Sequence, residues 1–312
     1  MRLSHSLPVA SGPLALTIGN FDGVHCGHQR MLARLAAKAR ALGIPGLRVG
    51  ALTFEPHPRE VFTPQSAPTR LTSLREKLEL LKVHGVEHVH VARFTPAFAA
   101  LSPAAFIEKV LVQGLRVRTL LIGDDFRFGA RRAGDFALLR QAAAQHGFEL
   151  EAMPTVEQGG VRVSSSAVRE ALFNGDLARA ATMLGRAYSI SGRVIHGEKL
   201  GRKLGFPTAN VRMRHNRPPL MGIFAVRFHG VAGRALDGVA SLGLRPTVSD
   251  SGRAALEVHL FDFSSDLYGR HVRVEFLHKI RDEEKYSDLE TLRVQIARDC
   301  ASAKQYLAQH PA

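Results

Sequence analysis

The sequence predicts two domains of different class: an open α/β domain over residues 1–185 and an all-β domain, a small barrel with a terminal helix, over residues 186–312. Three observations predict this. Apolar strand-like runs alternate with helix-period segments through the first half, short period-2 runs separated by Gly, Pro, Asn and Asp fill the second, and two short helical segments lie between.

The elements follow in order. The apolar run Leu14–Ile18 leads into Gly19-Asn20-Phe21-Asp22-Gly23. Met31, Leu32, Leu35, Ala36, Ala39 and Leu42 then recur at three- and four-residue spacing until Gly43 supplies a stop. Strands over 49–54, 86–91 and 120–122 alternate with helices over 74–84, 103–112 and 136–146, the pattern of a parallel sheet covered by helices. Residues 165–173 and 176–184 read as the two intervening helices, and 188–195, 222–228, 238–242, 256–261 and 272–277 as strands of the barrel. A capping box, Ser287-Asp288-Leu289-Glu290, opens the last helix, whose apolar stripe is Leu289, Leu292, Ile296, Cys300, Ala303 and Leu307.

At 312 residues with 45% hydrophobic and 22% charged content, the chain has the composition of a globular protein with two ordinary cores. It holds no apolar run of membrane-spanning length and no signal-peptide core at its start, so a cytoplasmic protein without membrane attachment is expected. Cys26 and Cys300 lie far apart in sequence, outside any C-x-x-C pair, which argues against a structural disulfide or a cysteine metal site. A net charge of +14 favours polyanions. ATP, pyrophosphate and nucleic acid all qualify, and the scattered basic clusters do not choose among them.

Two segments have the residue types that handle phosphate. In the first, Gly19 to His28, the backbone N–H groups of Gly27 and His28 open a helix directly after a parallel strand, where a phosphate would sit, and His25 and His28 flank that spot. Imidazoles there can donate hydrogen bonds to phosphorus as charge builds, without a fixed buried cation. Neither a P-loop nor a G-x-G-x-x-G fingerprint is present. Thr53-Phe54-Glu55-Pro56-His57-Pro58, Ile122-Gly123-Asp124-Asp125-Phe126-Arg127-Phe128-Gly129 and Arg162-Val163-Ser164-Ser165-Ser166-Ala167-Val168-Arg169 each follow a predicted strand, at the end where open α/β sheets bind ligands. The serine run also reads simply as a helix N-cap.

In this order, GNFDGVHCGHQ, TFEPHP, GDDFRFG and RVSSSAVR resemble the adenylyltransferase half of the prokaryotic bifunctional riboflavin kinase/FAD synthetase family, within the wider H-x-G-H nucleotidyltransferases. That resemblance implies a Rossmann-like nucleotidyltransferase domain in which FMN attacks ATP and pyrophosphate leaves. It implies that His25 and His28 are catalytic, stabilising the transferring α-phosphoryl group. Gly19, Phe21, Asp22, Gly27 and His57 would bind substrate or nucleotide; Arg162, Ser165, Ser166 and Arg169 would lie on the ATP phosphate side, with Asp125 near the metal or nucleotide. Phe54, Phe62 and Phe128 would line the flavin pocket, although core packing explains buried phenylalanines equally well. The family's serine run usually ends in threonine where this chain has Ser166, which keeps the hydroxyl and loses a methyl. The phosphate of FMN is mostly dianionic at neutral pH, so this reaction needs no general base.

The second segment has Gly197, Gly201 and Gly205, which let backbone approach a polyphosphate, and Thr208 and Asn210, oxygen donors suited to a hard cation. Out of context it is a turn-rich loop; GRKLGFPTAN resembles the riboflavin kinase motif, which implies a six-stranded kinase barrel with Mg-ATP held at Thr208 and Asn210. The nucleophile there would be a ribityl hydroxyl, which benefits from a base. Alternation in the strand around residue 257 puts Leu256, Val258 and Leu260 on one face and Glu257 on the other, and Glu257 matches the family's catalytic glutamate. His259 shares its face and reads as a surface histidine.

The resemblance covers almost the whole chain and implies a cytoplasmic enzyme of flavin cofactor biosynthesis. It would use ATP and Mg2+ to convert riboflavin to FMN and then FMN to FAD. A basic nucleic-acid-binding protein is the rival from another class; it needs aromatic and basic residues interleaved on exposed strands, and the barrel strands show little of this. A protein with one activity and one merely structural domain is disfavoured because both segments have their chemical groups.

Overall fold

The computed structural model describes residues 1–8, 12–197, 200–213, 217–244 and 254–311. The chain divides into two compact units, Met1–Pro68 with Leu74–Ser164, and Thr69–Ser73 with Ser165–Ala312.

In the first unit, β1 (Arg2–Ser4), β2 (Leu14–Ile18), β3 (Arg48–Glu55), β4 (His88–Arg93), β5 (Val117–Gly123) and β6 (Glu149–Met153) form one parallel sheet in the order β1-β4-β3-β2-β5-β6. The helices are α1 (Cys26–Leu42), α2 (Pro58–Phe62), α3 (Leu74–Val83), α4 (Pro96–Ala99), α5 (Pro103–Ala105, continuing in wide π turns over Phe106–Gly114) and α6 (Phe136–His146). β2 is buried on both faces: Leu14, Leu16 and Ile18 pack into one core and Ala15 into another. From β2 the chain first runs outward through β3 and β4, then crosses to β5 and β6 on the other side. This reversal opens a crevice at the carboxyl ends of β2 and its neighbours, which is where ligands bind in such sheets. The edge strands β1 and β6 have no apolar run to announce them, since Arg-Leu-Ser and Glu-Leu-Glu-Ala-Met are mostly exposed or half-buried.

At the β1 edge the Ser4 hydroxyl lies 2.9 Å from both His88 Nε2 and His90 Nδ1. Burial, then His88 and His5, push His90 down to about 4, and burial, then Arg48 and Arg2, lower His88. Both rings resist protonation in the fold, His90 down to about pH 4, whereas the unfolded chain takes up protons near the ordinary value of 6.5. Their burial therefore favours folding in full above pH 6.5, and that advantage is lost as pH falls toward about 4. We expect urea unfolding of this unit to lose about 3 kcal/mol across that window on account of His90. His90→Asn should flatten the fall; an unchanged slope would refute the assignment.

A short ribbon, β7 (Glu157–Gln158) with β8 (Val161–Arg162), ends the first unit. The second begins with α7 (Ser165–Phe173) and α8 (Leu177–Leu184), the latter capped by Asp176. Strands β9 (Tyr188–Ile195), β10 (Thr208–Arg212), β11 (Gly222–His229), β12 (Leu236–Leu244), β13 (Ala254–Leu260) and β14 (His271–Arg281) close an antiparallel barrel in the order β10-β13-β12-β11-β14-β9. Alternate residues fill it, among them Ile190, Val194, Val226, Val258 and Val274, with Phe224 meeting Phe276 edge-on at 5.2 Å. A single turn, α9 (Leu200–Lys203), precedes β10. The motif residues of β10 conceal a strand whose Ala209 and Val211 are buried.

The terminal helix α10 (Leu289–Gln309) packs Cys300, Ala303 and Leu307 against Ile223, Ala225 and Val239 on the outside of the barrel. Its start differs from the expected capping box. Asp288 is the N-cap, accepting from Thr291 N at 2.8 Å, while Ser287 donates to Asp288 and Glu290 pairs with Arg293. Glu290 therefore stands one position too early to reach back, and Leu289, 58% exposed, lies off the packed stripe. A bidentate bond from Arg281 to the buried Asp299, at 2.8 and 2.6 Å, ties the helix to the end of β14.

Candidate active sites

The first site is built by the turn from β2 into α1. Phe21 and Val24 take left-handed backbone conformations with φ of 48° and 41°, although neither is glycine and both are buried. Such residues cost about 1–3 kcal/mol each and persist where the surroundings over-determine them. Here the Gln29 amide donates to the Val24 carbonyl at 2.9 Å and the Thr53 hydroxyl to the Asn20 carbonyl at 3.2 Å. Asp22 and His25 are buried in the same turn.

His25 is the N-cap of α1, its Nδ1 accepting from the backbone N–H of His28 at 3.4 Å. An accepting Nδ1 places the neutral ring's proton on Nε2, which is then a donor. The His25 and His28 rings stack with centroids 3.7 Å apart and planes 18° apart, and Phe21 meets His28 edge-on at 5.1 Å. His28 Nδ1 is buried without a hydrogen-bond partner. Burial, then the neighbouring charges of His25 and Lys77, hold His28 well below its ordinary value, so its ring is neutral at physiological pH. A side chain on Gly27 would come within 3.1 Å of the His25 ring, so the stack depends on glycine there. Gly19 likewise leaves room for the Phe21 ring, 3.3 Å from where a Cβ would stand.

Lys77 was not among the expected site residues. It is 1% exposed on α3, and its charge reaches His28. The signal was its spacing: Lys77 lies three residues after Leu74 and four before Leu81, on the apolar stripe, where a lysine has no ordinary reason to be.

The remaining expected residues of this unit divide. His57 is buried as the N-cap of α2, its Nδ1 accepting from Arg59 N at 3.2 Å and its own N–H donating to Glu60 at 3.0 Å. Phe54 and Phe62 belong to one aromatic group through Phe94, which meets them edge-on at 5.7 and 5.6 Å; Phe62 is 61% exposed. Phe128 is buried against Phe106 and Phe126, over Gly134, and joins the same group through Phe106 and Phe98, which meets Phe54. Asp125 and Arg162 are paired with each other at 2.7 Å, both more than half exposed. Ser165 and Ser166 open α7 in the second unit, where Arg169 donates through Nε to the Thr69 carbonyl at 2.6 Å.

The second site lies on the outer face of the barrel where β10 pairs with β13. The register sets Asn210 opposite Glu257 and Thr208 opposite His259, so all four side chains share a face while Ala209, Leu256 and Val258 point inward. Thr208 Oγ1 donates to Glu257 Oε2 at 3.4 Å. Gly197 leaves no room for a Cβ, because the Asn210 amide occupies that space; Gly201 is packed against the Phe206 carbonyl, with Thr208 Oγ1 3.3 Å from where its Cβ would stand. Gly205 has φ of 88° and meets the requirement for a left-handed turn. Glu198 and Lys199 of the motif lie outside the described residues.

The hydroxyl and amide oxygens of Thr208 and Asn210 form a donor set that fits a hard cation shared with phosphate oxygens, since Mg2+ takes few protein ligands in such sites, and Glu257 lies beside them. In the first unit Asp125 lies beside Arg162 at the surface. No group of three or more His, Cys, Asp or Glu side chains among the described residues could hold a metal ion alone. His259 is more than a surface histidine: its Nδ1 lies 2.9 Å from the Pro207 carbonyl, and its ring stands edge-on to Phe206 and Phe261.

The FAD synthetase family model matches residues 8–167, and the riboflavin kinase family model matches residues 184–307. A bifunctional riboflavin kinase/FMN adenylyltransferase of Escherichia coli K12 is 49% identical over 93% of this chain and 92% of its own length. One of Pseudomonas fluorescens is 46% identical over 99% and 97%. Among solved structures, one described as a macrolide-efflux protein from Streptococcus pneumoniae has a TM-score of 0.80 at 26% identity, covering 98% of this chain and 97% of that one.

Proposed function

The chain belongs to the bifunctional riboflavin kinase/FMN adenylyltransferase family, and from that premise we propose how its residues divide the two reactions. Residues 186–312 phosphorylate riboflavin to FMN, and residues 1–185 adenylylate FMN to FAD. The two family matches, in that order along the chain, support the division.

In the kinase reaction the ribityl hydroxyl of riboflavin attacks the γ-phosphorus of ATP. Its proton passes to Glu257 and ADP leaves. Thr208 and Asn210 would hold Mg2+ with the ATP phosphates, and Gly197 and Gly201 leave room for the Asn210 amide and the Phe206 carbonyl that seat those two residues. When bound, the ion neutralises charge on the phosphate oxygens. The observation that carries this reading is the 3.4 Å approach of Thr208 Oγ1 to Glu257, which brings the base to the edge of the ATP motif.

In the adenylyltransferase reaction an FMN phosphate oxygen attacks the α-phosphorus of ATP and pyrophosphate leaves. No base is needed, because the attacking group is already an anion. His28, whose ring is neutral, and His25, stacked on it at a helix N-terminus, donate to the phosphoryl oxygens as charge builds. Lys77 adds a positive field and disfavours protonation of His28. Arg162 is suited to the ATP phosphates, with Asp125 beside it on the metal or nucleotide side. We assign Ser165, Ser166 and Arg169 to the phosphates, and Phe54 and Phe62 to the flavin ring, on the family resemblance and the chemistry of their side chains. Phe128 supports the ring cluster from the core.

The +14 charge serves to attract anionic substrates. No helix among the described residues is long and apolar enough to cross a membrane, and we place the enzyme in the cytoplasm, where ATP is plentiful. Incubation with riboflavin and Mg-ATP should yield FMN, then FAD, on chromatography. Formation of neither product, with flavin oxidised or reduced, would overturn the proposal.

A further inference from the structure

We propose that His259 is a positioning residue of the kinase site, which seats the Phe206-Pro207-Thr208 turn so that Thr208 and Asn210 meet the Mg-ATP phosphates in register with Glu257. This rests on the kinase reading above.

Pro207 has no N–H, so its carbonyl is the one polar group it brings to the junction between turn and strand. A carbonyl only accepts; the 2.9 Å contact therefore requires a proton on His259 Nδ1. The same ring stands edge-on to Phe206 at 5.5 Å and to Phe261 at 5.9 Å, which restrains its rotation.

The turn is thus held at two points. Phe206 N donates to the Gly201 carbonyl at 2.8 Å on the side of the glycine segment, and His259 holds the Pro207 carbonyl on the side of the strand. The next residue, Thr208, lies opposite His259 in the ladder, and its hydroxyl is the group that approaches Glu257. His259 is two residues from Glu257 on the same face of β13, so one strand presents the base and also fixes the segment that faces it.

His259 touches neither reacting group, so its loss should appear in ATP binding more than in the chemical step. In the full-length protein, His259→Leu keeps apolar volume and removes the donor. We expect the KM for Mg-ATP in FMN formation to rise roughly tenfold, the effect of one neutral hydrogen bond, with the KM for riboflavin changed less than about threefold. His259→Asn, whose side-chain amide can donate to the same carbonyl, should restore most of the ATP affinity. Adenylylation of supplied FMN reports in each variant on the rest of the chain.

A merely packing role would lower thermal stability in both variants, with no preferential change for ATP and no rescue by Asn. Equal rises for ATP and riboflavin, an ATP KM within twofold of wild type in His259→Leu, or an Asn variant no better than Leu would each overturn the proposal. If the Leu variant does not fold, the decision falls to His259→Asn against His259→Ala by the same criterion. Wild-type protein that forms no FMN would instead overturn the kinase assignment, before His259 comes into question.

Discussion

Glu257→Gln leaves adenylylation of supplied FMN at its wild-type rate and slows riboflavin phosphorylation by roughly 10²- to 10⁴-fold, the usual span for loss of a general base. The amide is nearly isosteric and can still accept from Thr208, so the register of β10 with β13 and the Thr208 contact should survive. What is lost is the capacity to take a proton from an alcohol that is barely ionised at neutral pH. Because the effect is chemical rather than structural, the KM for Mg-ATP should change little. That separates this variant from His259→Leu, in which ATP binding is expected to suffer. Steady-state assays of the two half-reactions, started from riboflavin and from FMN, check it. Equal loss of both activities would show that Glu257 supports the fold and is not the base.

His28→Ala gives the reverse pattern: FMN accumulates from riboflavin, and FAD formation falls by roughly 10²- to 10³-fold, the cost of removing one preorganised donor from a site of developing charge. The ring removed is the one with a buried, unpartnered Nδ1, stacked on His25 and touched by Phe21. Truncation also deprives His25 of its stacking partner, so we expect part of the loss to come from a misplaced His25. His28→Asn keeps a donor but not the stack, and its activity should fall between wild type and Ala. Because the ring is already neutral, lowering the pH from 7.5 to 6.5 should not change the wild-type rate through His28. A variant that retains full FAD synthesis would remove His28 from the mechanism.

The elements with strong local periods were legible in the sequence. Residues 136–146 and 188–195 were expected at the bounds they have, because a full apolar stripe in one and strict alternation in the other leave little choice. His25 and His28 were legible for a related reason: a strand, a tight turn and a helix follow one another within a few residues, so local geometry already brings the imidazoles to a helix start. The edge strands β1 and β6 were not, since a strand paired on one side can be polar throughout. Neither was β10, where the residues that would bind ATP occupy alternate positions of a strand and read as loop. Phe94, which joins Phe54 to Phe62, was one phenylalanine among 17 until the sheet placed it.

The sequence alone determined the order of the elements, the passage from helix to barrel strand between residues 184 and 188, and the chemical groups available to each reaction. Only the tertiary structure decided which of those groups meet. Thr208 and Glu257 are 49 residues apart, Asp125 and Arg162 37, and His259 and Pro207 52; in each case the contact depends on a pairing that no local period encodes. In the barrel the reason is register. A slip of one residue between β10 and β13 would turn Asn210 and Thr208 inward, and burial of Ala209, Val211, Leu256 and Val258 forbids it. The same packing of apolar side chains inside the barrel therefore sets which oxygens face one another outside it.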